Sequence, residues 1–232
     1  MKINLMLKYF ISILVTLFCI ANHTNATASN DSLKKYGIRI GTDLHKLIKS
    51  ATSQEYNGIS FNADIRFKES IFLFSEIGNE KKIVEYSSVD SEVSGNYIKL
   101  GLQFKLNKDI IGLSNLIYSS FGLGISSFEQ TIFRYNIYNI YSDVWGEFTN
   151  TDIINLENLN ANWIEIGFGV KTEILNNLFL GIELQLKNLI YQKNKNDISN
   201  FYIPGFNRTY EGSNFGTGFN YSLTYLIPII KK

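Results

Sequence analysis

Few side chains in this chain are placed to do chemistry. Beyond residue 28 the only histidine is His45, and Asp43 stands two residues before it. On a strand, residues two apart share a face, so the pair has the spacing of a general base and its orienting carboxylate. A hydrolase would also need a nucleophile, and no motif places a serine to receive help from His45. No residue is therefore assigned as catalytic. One histidine with scattered carboxylates makes no metal-ligand spacing, so neither a metal nor any other cofactor is expected. The glycines of "GTG" (Gly216–Gly218) could cradle a phosphate, but no helix follows to complete an anion site.

A richer stretch is "FEQTIFRYNIYNIYSDVWGEF" (Phe128–Phe148), which holds Phe133, Tyr135, Tyr138, Tyr141 and Trp145 among asparagines. Rings interleaved with amides suit stacking on a glycan or gripping a protein partner. The same rings could also pack against one another and cap the elements below them.

Those elements are strands. In "NYIKLGLQFKL" (Asn96–Leu106) the even positions Ile98, Leu100, Leu102, Phe104 and Leu106 are apolar, while the odd ones include Lys99, Gln103 and Lys105. A period of two marks a strand with one apolar and one polar face. Eight segments repeat it: 36–44, 58–67, 71–78, 97–106, 117–126, 163–173, 179–189 and 215–227. Most approach the ~9–11 residues of a tilted transmembrane strand. Their connections alternate. Those at "KES", "NKDIIGLSN" and "ILNN" are short, whereas 45–57, 79–96, 127–162 and 190–214 are long. Short turns on one side and long loops on the other describe an outer-membrane barrel with periplasmic turns and extracellular loops. "DLHKLIKS" (Asp43–Ser50) could form one helical turn. If the alternation at Thr131–Tyr141 entered the membrane as a hairpin, the strand count would be ten instead of eight.

The polar faces carry Arg39, Asp43, Asp64, Arg66, Glu76, Lys99, Lys105, Glu165, Lys171, Glu173, Glu183 and Lys187, six cations and six anions. Packed into one lumen, unpaired charge is costly, so such balance is expected of a barrel interior. Glu76 is the expected partner of Lys99. Glycines fall on the same face and leave room for the long side chains. Eight strands enclose a space that side chains fill, whereas water-filled pores take ~16–18 strands. A net charge of +1, from 22 basic and 21 acidic residues, gives no reason to expect nucleic acid as a partner.

The 232-residue chain opens with Lys2 and Lys8, the apolar run Tyr9–Ile20 and the small-x-small "ATA" (Ala26–Ala28), the layout of a secretory signal peptide. Cleavage is expected after Ala28, or alternatively after Ala26. The only cysteine, Cys19, lies in that run behind the bulky Phe18, unlike a lipoprotein site. The expected domains are a signal peptide at 1–28, a polar leader at 29–35 and a barrel domain at 36–232.

The ending "NWIEIGFGVKTEILNNLFLGIELQLK", then "IPGFNRTYEGSNFGTGFNYSLTYLIPI", resembles a family of small bacterial outer-membrane β-barrel proteins carrying an uncharacterised domain. The opening "YGIRIGTDL" and "VWG" (Val144–Gly146) are similar to it too. The resemblance implies the barrel fold and an outer-membrane location in a Gram-negative cell, and brings no activity or catalytic residues. Such barrels usually end on an aromatic residue that the assembly machinery reads. Here "LIPIIKK" follows Tyr225, so that signal is internal or different. The expectation is a monomeric, closed, eight-stranded antiparallel barrel, inserted into the lipid bilayer by the barrel-assembly machinery. Its role is structural or surface-interacting and non-enzymatic, with the third loop meeting a glycan or protein. The alternatives are a narrow channel for passive transport, or a membrane-embedded hydrolase using His45.

Overall fold

The computed structural model describes residues 35–107, 115–137, 148–195 and 198–231. The expected signal peptide, the leader up to residue 34, and Tyr138, Tyr141 and Trp145 lie outside the described residues. The described elements are β1 (Lys35–Asp43), α1 (Leu44–Thr52), β2 (Tyr56–Lys68), β3 (Ile71–Glu85), β4 (Val89–Lys105), β5 (Leu116–Ile137), β6 (Phe148–Asn150), β7 (Ile154–Leu175), β8 (Leu178–Gln192), β9 (Tyr202–Ile203), β10 (Asn207–Arg208) and β11 (Phe215–Lys231).

Eight strands form one antiparallel ring in the order β4, β3, β2, β1, β11, β8, β7, β5, and β5 pairs back onto β4 to close it. The first and last strands of the ring are neighbours, with Ile40 opposite Tyr225; Tyr225 also faces Leu178, beside the turn between β7 and β8. The eight segments expected from alternation are all strands of this ring. Much of what was expected as loop is strand as well. β3 and β4 run on to a connection at 86–88, and β5 reaches Ile137, where β6 pairs with it. The alternation from Thr131 thus lengthens a strand above the bilayer and adds none to the ring.

The strands can run on because the pattern inverts at one level. Ile77, Ile98 and Ile125 pair across β3, β4 and β5 and point outward, exposed. Two residues higher, Asn79, Asn96, Ser127 and Asn160 form an outward polar row across β3, β4, β5 and β7. The amide of Asn79 donates to the Asn96 carbonyl at 2.9 Å. Below that row the outside is apolar and the inside charged. Above it the inside is apolar, with Val93, Phe128, Ile132, Leu156 and Leu159 in one buried cluster, which Trp163 joins from just below the row. Hydrocarbon bathes the lower belt and water the upper, so the apolar residues change sides.

One strand stops early. β1 ends at Asp43, opposite Ser222, while β2 and β11 continue upward. α1 packs against both and takes the missing place. The hydroxyl of Ser50 donates to the carbonyl of Gly58 at 2.9 Å and accepts its N–H at 2.7 Å, where a strand would have paired. α1 is longer than the single turn expected, and Leu44 belongs to it, not to β1. Its causes are local. The Asp43 carboxylate caps its N-terminus by accepting the backbone N–H of His45 at 2.8 Å. Leu44, Leu47, Ile48 and Ala51 share the i, i+3, i+4, i+7 face. Leu47 and Ile48 are exposed outward, whereas Lys46 is buried inward.

The belt generates a prediction. Leu102 sits mid-belt facing lipid, so Leu102→Arg is expected to cost roughly 2–4 kcal/mol of folding free energy into lipid vesicles. Lys99→Ala strands the buried carboxylates beside it and is expected to cost about 3–5 kcal/mol. Gln103→Leu is expected to cost less than Lys99→Ala, because Lys171, which Gln103 contacts, keeps Asp64. Urea titrations of the three variants in vesicles read these differences; a tolerated Leu102→Arg beside a silent Lys99→Ala would mean the faces are reversed.

Candidate functional site

Within the belt the lumen is filled by ion pairs. Asp64 accepts from Arg39 Nε at 2.5 Å and from Lys171 Nζ at 2.6 Å, and Lys171 also reaches Gln103 at 3.2 Å. Lys99 lies 3.3 Å from Glu76 and 3.5 Å from Glu165. Glu183 accepts from the Ser120 hydroxyl at 2.6 Å. The void left among these groups is only about 30 Å³. Arg66, Lys105 and Glu173 sit near the periplasmic end: Arg66 lies over the Phe72 ring, and Glu173 accepts the N–H of Asn177 in the turn.

Two residues expected among these pairs are placed otherwise. Asp43 is spent on the cap of α1. Lys187 donates to the backbone carbonyls of Gly205 at 2.7 Å and Phe206 at 3.4 Å, not to a carboxylate.

Those carbonyls belong to a plug. Between β8 and β11 the chain folds back into the mouth as the small hairpin β9–β10, and Tyr202 to Phe206 are all buried. Glu80 holds it from β3, accepting the Tyr202 hydroxyl at 2.5 Å and the Gly205 N–H at 3.2 Å. Glu80 also pairs with Lys46 of α1 at 2.8 Å. The Phe206 ring meets Trp163 edge-on, centroids 5.9 Å apart. Gly205 has φ +79°, and a Cβ there would stand 2.5 Å from the Tyr97 ring, so the hairpin tip needs glycine twice over. The two glycines of "GTG" are strand residues that make room in the same way. A Cβ on Gly216 would lie 2.7 Å from the Phe206 ring, and one on Gly218 2.9 Å from Lys187 Nζ.

Beside the plug a cavity of about 660 Å³ remains, walled by α1, the upper part of β3, the plug and the upper parts of β8 and β11. His45, Lys46 and Lys49 enter it from α1. Burial, with Lys49 and Lys46 nearby, holds the His45 imidazole below its ordinary value. Burial opposes the charge of Lys46, but Glu80 and Glu76 outweigh it and keep that ammonium well above its usual range. Lys49 lies 4.3 Å over the Tyr56 ring, and burial together with Lys82 lowers it. The His45 ring packs on Phe219 at 4.4 Å, and the Asp43 carboxylate meets the His45 backbone and not its ring, so the expected base–orienter pair is not formed. Among the described residues no group of three potential ligands could hold a metal ion.

In the third loop, Phe133 is exposed outward. Tyr135 is half-buried against the upper core, its hydroxyl accepting from Asn150 at 2.9 Å. Sequence reasoning missed the plug, and of α1 it gave only a single turn. The signals present were "IPGF", apolar residues around a turn dipeptide within a polar loop, and the cap at Asp43.

A domain family described only as a domain of unknown function, DUF6048, matches residues 6–232. Among curated proteins none matches the sequence. The chain is similar to the solved attachment invasion locus protein Ail of Yersinia pestis at 9% identity, covering 83% of this chain and 97% of that one, with a TM-score of 0.39. A second Ail structure, in complex with the heparin analogue sucrose octasulfate, gives 10% identity, the same coverage and a TM-score of 0.38. Neisserial surface protein A gives 8% identity, 82% and 93% coverage and a TM-score of 0.40.

The plug generates a second prediction. Glu80→Ala removes the acceptor shared by Tyr202, Gly205 and Lys46. Added protease is then expected to cut within 198–212 in a folded protein that resists it in the wild type. The ring itself is expected to persist, read as faster gel migration unheated than boiled. Gly205→Ala should act in the same direction, at a strain cost of about 1–3 kcal/mol. An uncut Glu80→Ala loop would show that Glu80 does not hold the plug.

Proposed function

The chain belongs to that family, and we propose that its outer-membrane barrel is a non-enzymatic surface protein that works through its extracellular mouth and loops. The observation that carries this reading is the plug: Tyr202 to Phe206 fill the upper lumen, over a lower lumen already filled by ion pairs. A passage for solutes would have to displace both. The hydrolase alternative is disfavoured by the pairing of Asp43 with a backbone N–H and by the packing of His45 on Phe219. The interacting surface is then the rim, where Phe133 is exposed on the polar outer face of β5 and would meet a glycan or protein. The barrel acts as a monomer, inserted by the barrel-assembly machinery.

Planar-bilayer recordings on the folded protein test occlusion. The expected result is no stable conductance from the wild type, and steady open-channel steps would sink the reading. A glycan array and a partner pull-down test the rim. At least one ligand is expected to bind the wild type and to lose about tenfold in affinity with Phe133→Ser; a ligand indifferent to Phe133 would move the interaction elsewhere.

A further inference from the structure

We propose that the mouth cavity seats the anionic head group of an outer-leaflet lipid, which enters sideways between α1 and β11. This deepens the proposed function, since it rests on the mouth being the working part of the barrel.

The first observation is a break in the wall. β1 ends opposite Ser222, and the edge of β11 above it has no strand partner on that side. Phe219 on that edge is 48% exposed and also borders the cavity. The interruption lies within the hydrocarbon belt. It is flanked by the exposed Ile59, Phe219 and Tyr221, and by Leu47 and Ile48 of α1. A gap at that height opens onto acyl chains, not water.

The second observation is uncompensated positive charge. Arg39, Lys46, Lys99 and Lys171 each lie within ion-pair distance of an acid, but three other cations lining the cavity do not. Lys187 is 3% exposed and bonds to neutral backbone carbonyls. Lys49 stacks on the Tyr56 ring, and Arg208 lies between the rings of Tyr86 and Tyr210. Among the described residues none of these three forms an ion pair with a carboxylate. A buried ammonium satisfied only by dipoles favours an anion beside it, and Gly218 keeps the approach to Lys187 Nζ clear. The third observation is Asn220, which lines the cavity with a buried side-chain oxygen that has no hydrogen-bond partner. A head-group hydroxyl would satisfy it. Phosphate with a neighbouring hydroxyl, attached to acyl chains lying over Phe219 and Leu184, meets all three requirements.

The same chemistry is offered by a soluble phosphate ester, so the test separates the two sources. The mature protein, folded in detergent, is equilibrated with phosphatidylglycerol or with phosphatidylcholine of the same chains, and retained lipid is counted by native mass spectrometry. Glycerol 3-phosphate and inorganic phosphate are titrated in parallel. One phosphatidylglycerol is expected to be retained, about tenfold more tightly than phosphatidylcholine or glycerol 3-phosphate. Lys187→Gln and Gly218→Val should each abolish that preference. Lys49→Gln with Arg208→Gln, both at the open end, should weaken it in a protein whose unheated gel shift proves it folded. Equal retention of both lipids, or a preference untouched in the Lys49/Arg208 variant, overturns the proposal. Glycerol 3-phosphate binding as tightly as the lipid overturns sideways entry. None of these results alters the conductance or rim-binding measurements, so the two readings fail separately.

Discussion

Strands β3, β4, β5 and β7 pass through a level at which the medium outside changes from hydrocarbon to water, and the rest of the molecule is arranged around that step. Below it, any outward polar group would go unsolvated, so the outer face is apolar and charge is confined to the lumen. Above it, an apolar outer face would be exposed to water, so the apolar residues turn inward and form a core of ordinary protein kind. On β4 the change takes two residues, from Asn96 outside and Tyr97 inside to Ile98 outside and Lys99 inside. The two halves of the lumen are consequently different materials. The lower half is an ion-pair network, tightly matched because unpaired charge there has no water to turn to. The upper half is an apolar core into which a loop can dock.

The shortness of β1 follows from neither half, and it creates the asymmetry that function can use. Where β1 is missing, α1 closes the wall with side-chain hydrogen bonds from Ser50 in place of a ladder. Glu80 stands at the junction, binding Lys46 of the helix with one oxygen and Tyr202 and Gly205 of the plug with the other. Helix, plug and wall are therefore mechanically one unit. A disturbance of α1 reaches the plug through Glu80 of β3 and through Tyr97 of β4, which Lys46 also contacts and against which Gly205 packs.

Much of the ring was legible because lipid enforces a strict alternation that few other surroundings require. Ile98 to Leu106 could be read as one lipid face from the sequence alone, and Lys99 beside Glu76 followed from parity and strand order. What was not legible depended on the inversion. Above Asn96 and Asn79 the same alternation continues with its faces exchanged, so 79–85, 89–96, 127–137 and 154–162 look like polar loop when they are strand. α1 was legible only as one turn, for a different reason. Its apolar face is turned to the membrane and its lysines to the interior, the reverse of a helix on a soluble protein. "IPGF" was seen, but nothing local in a sequence says that a polar loop returns to fill the barrel from which it came. Parity puts Lys187 on the inward face of its strand, but its partners are backbone carbonyls brought by that loop, which parity cannot supply.

The distribution of charge compensation argues for where the molecule meets something else. In a folded chain, buried ionic groups are tolerated when the chain itself supplies their partners, as Asp64 does for Arg39 and Lys171. Such pairs need no outside component. Lys187 is as buried as Lys99, yet the chain gives it dipoles where it gives Lys99 two carboxylates. Both border the cavity, and the difference between them is geometry: Lys99 Nζ stands 3.3 and 3.5 Å from its two carboxylates, whereas Lys187, beside Gly218, is turned to the carbonyls of the plug. Glu165 stands opposite Lys187 across β7 and β8, yet its carboxylate goes to Lys99 and not to Lys187. The ammonium of Lys187 is thus left with dipoles as its close partners, which lowers the stability of the empty barrel and raises its affinity for an anion in the cavity.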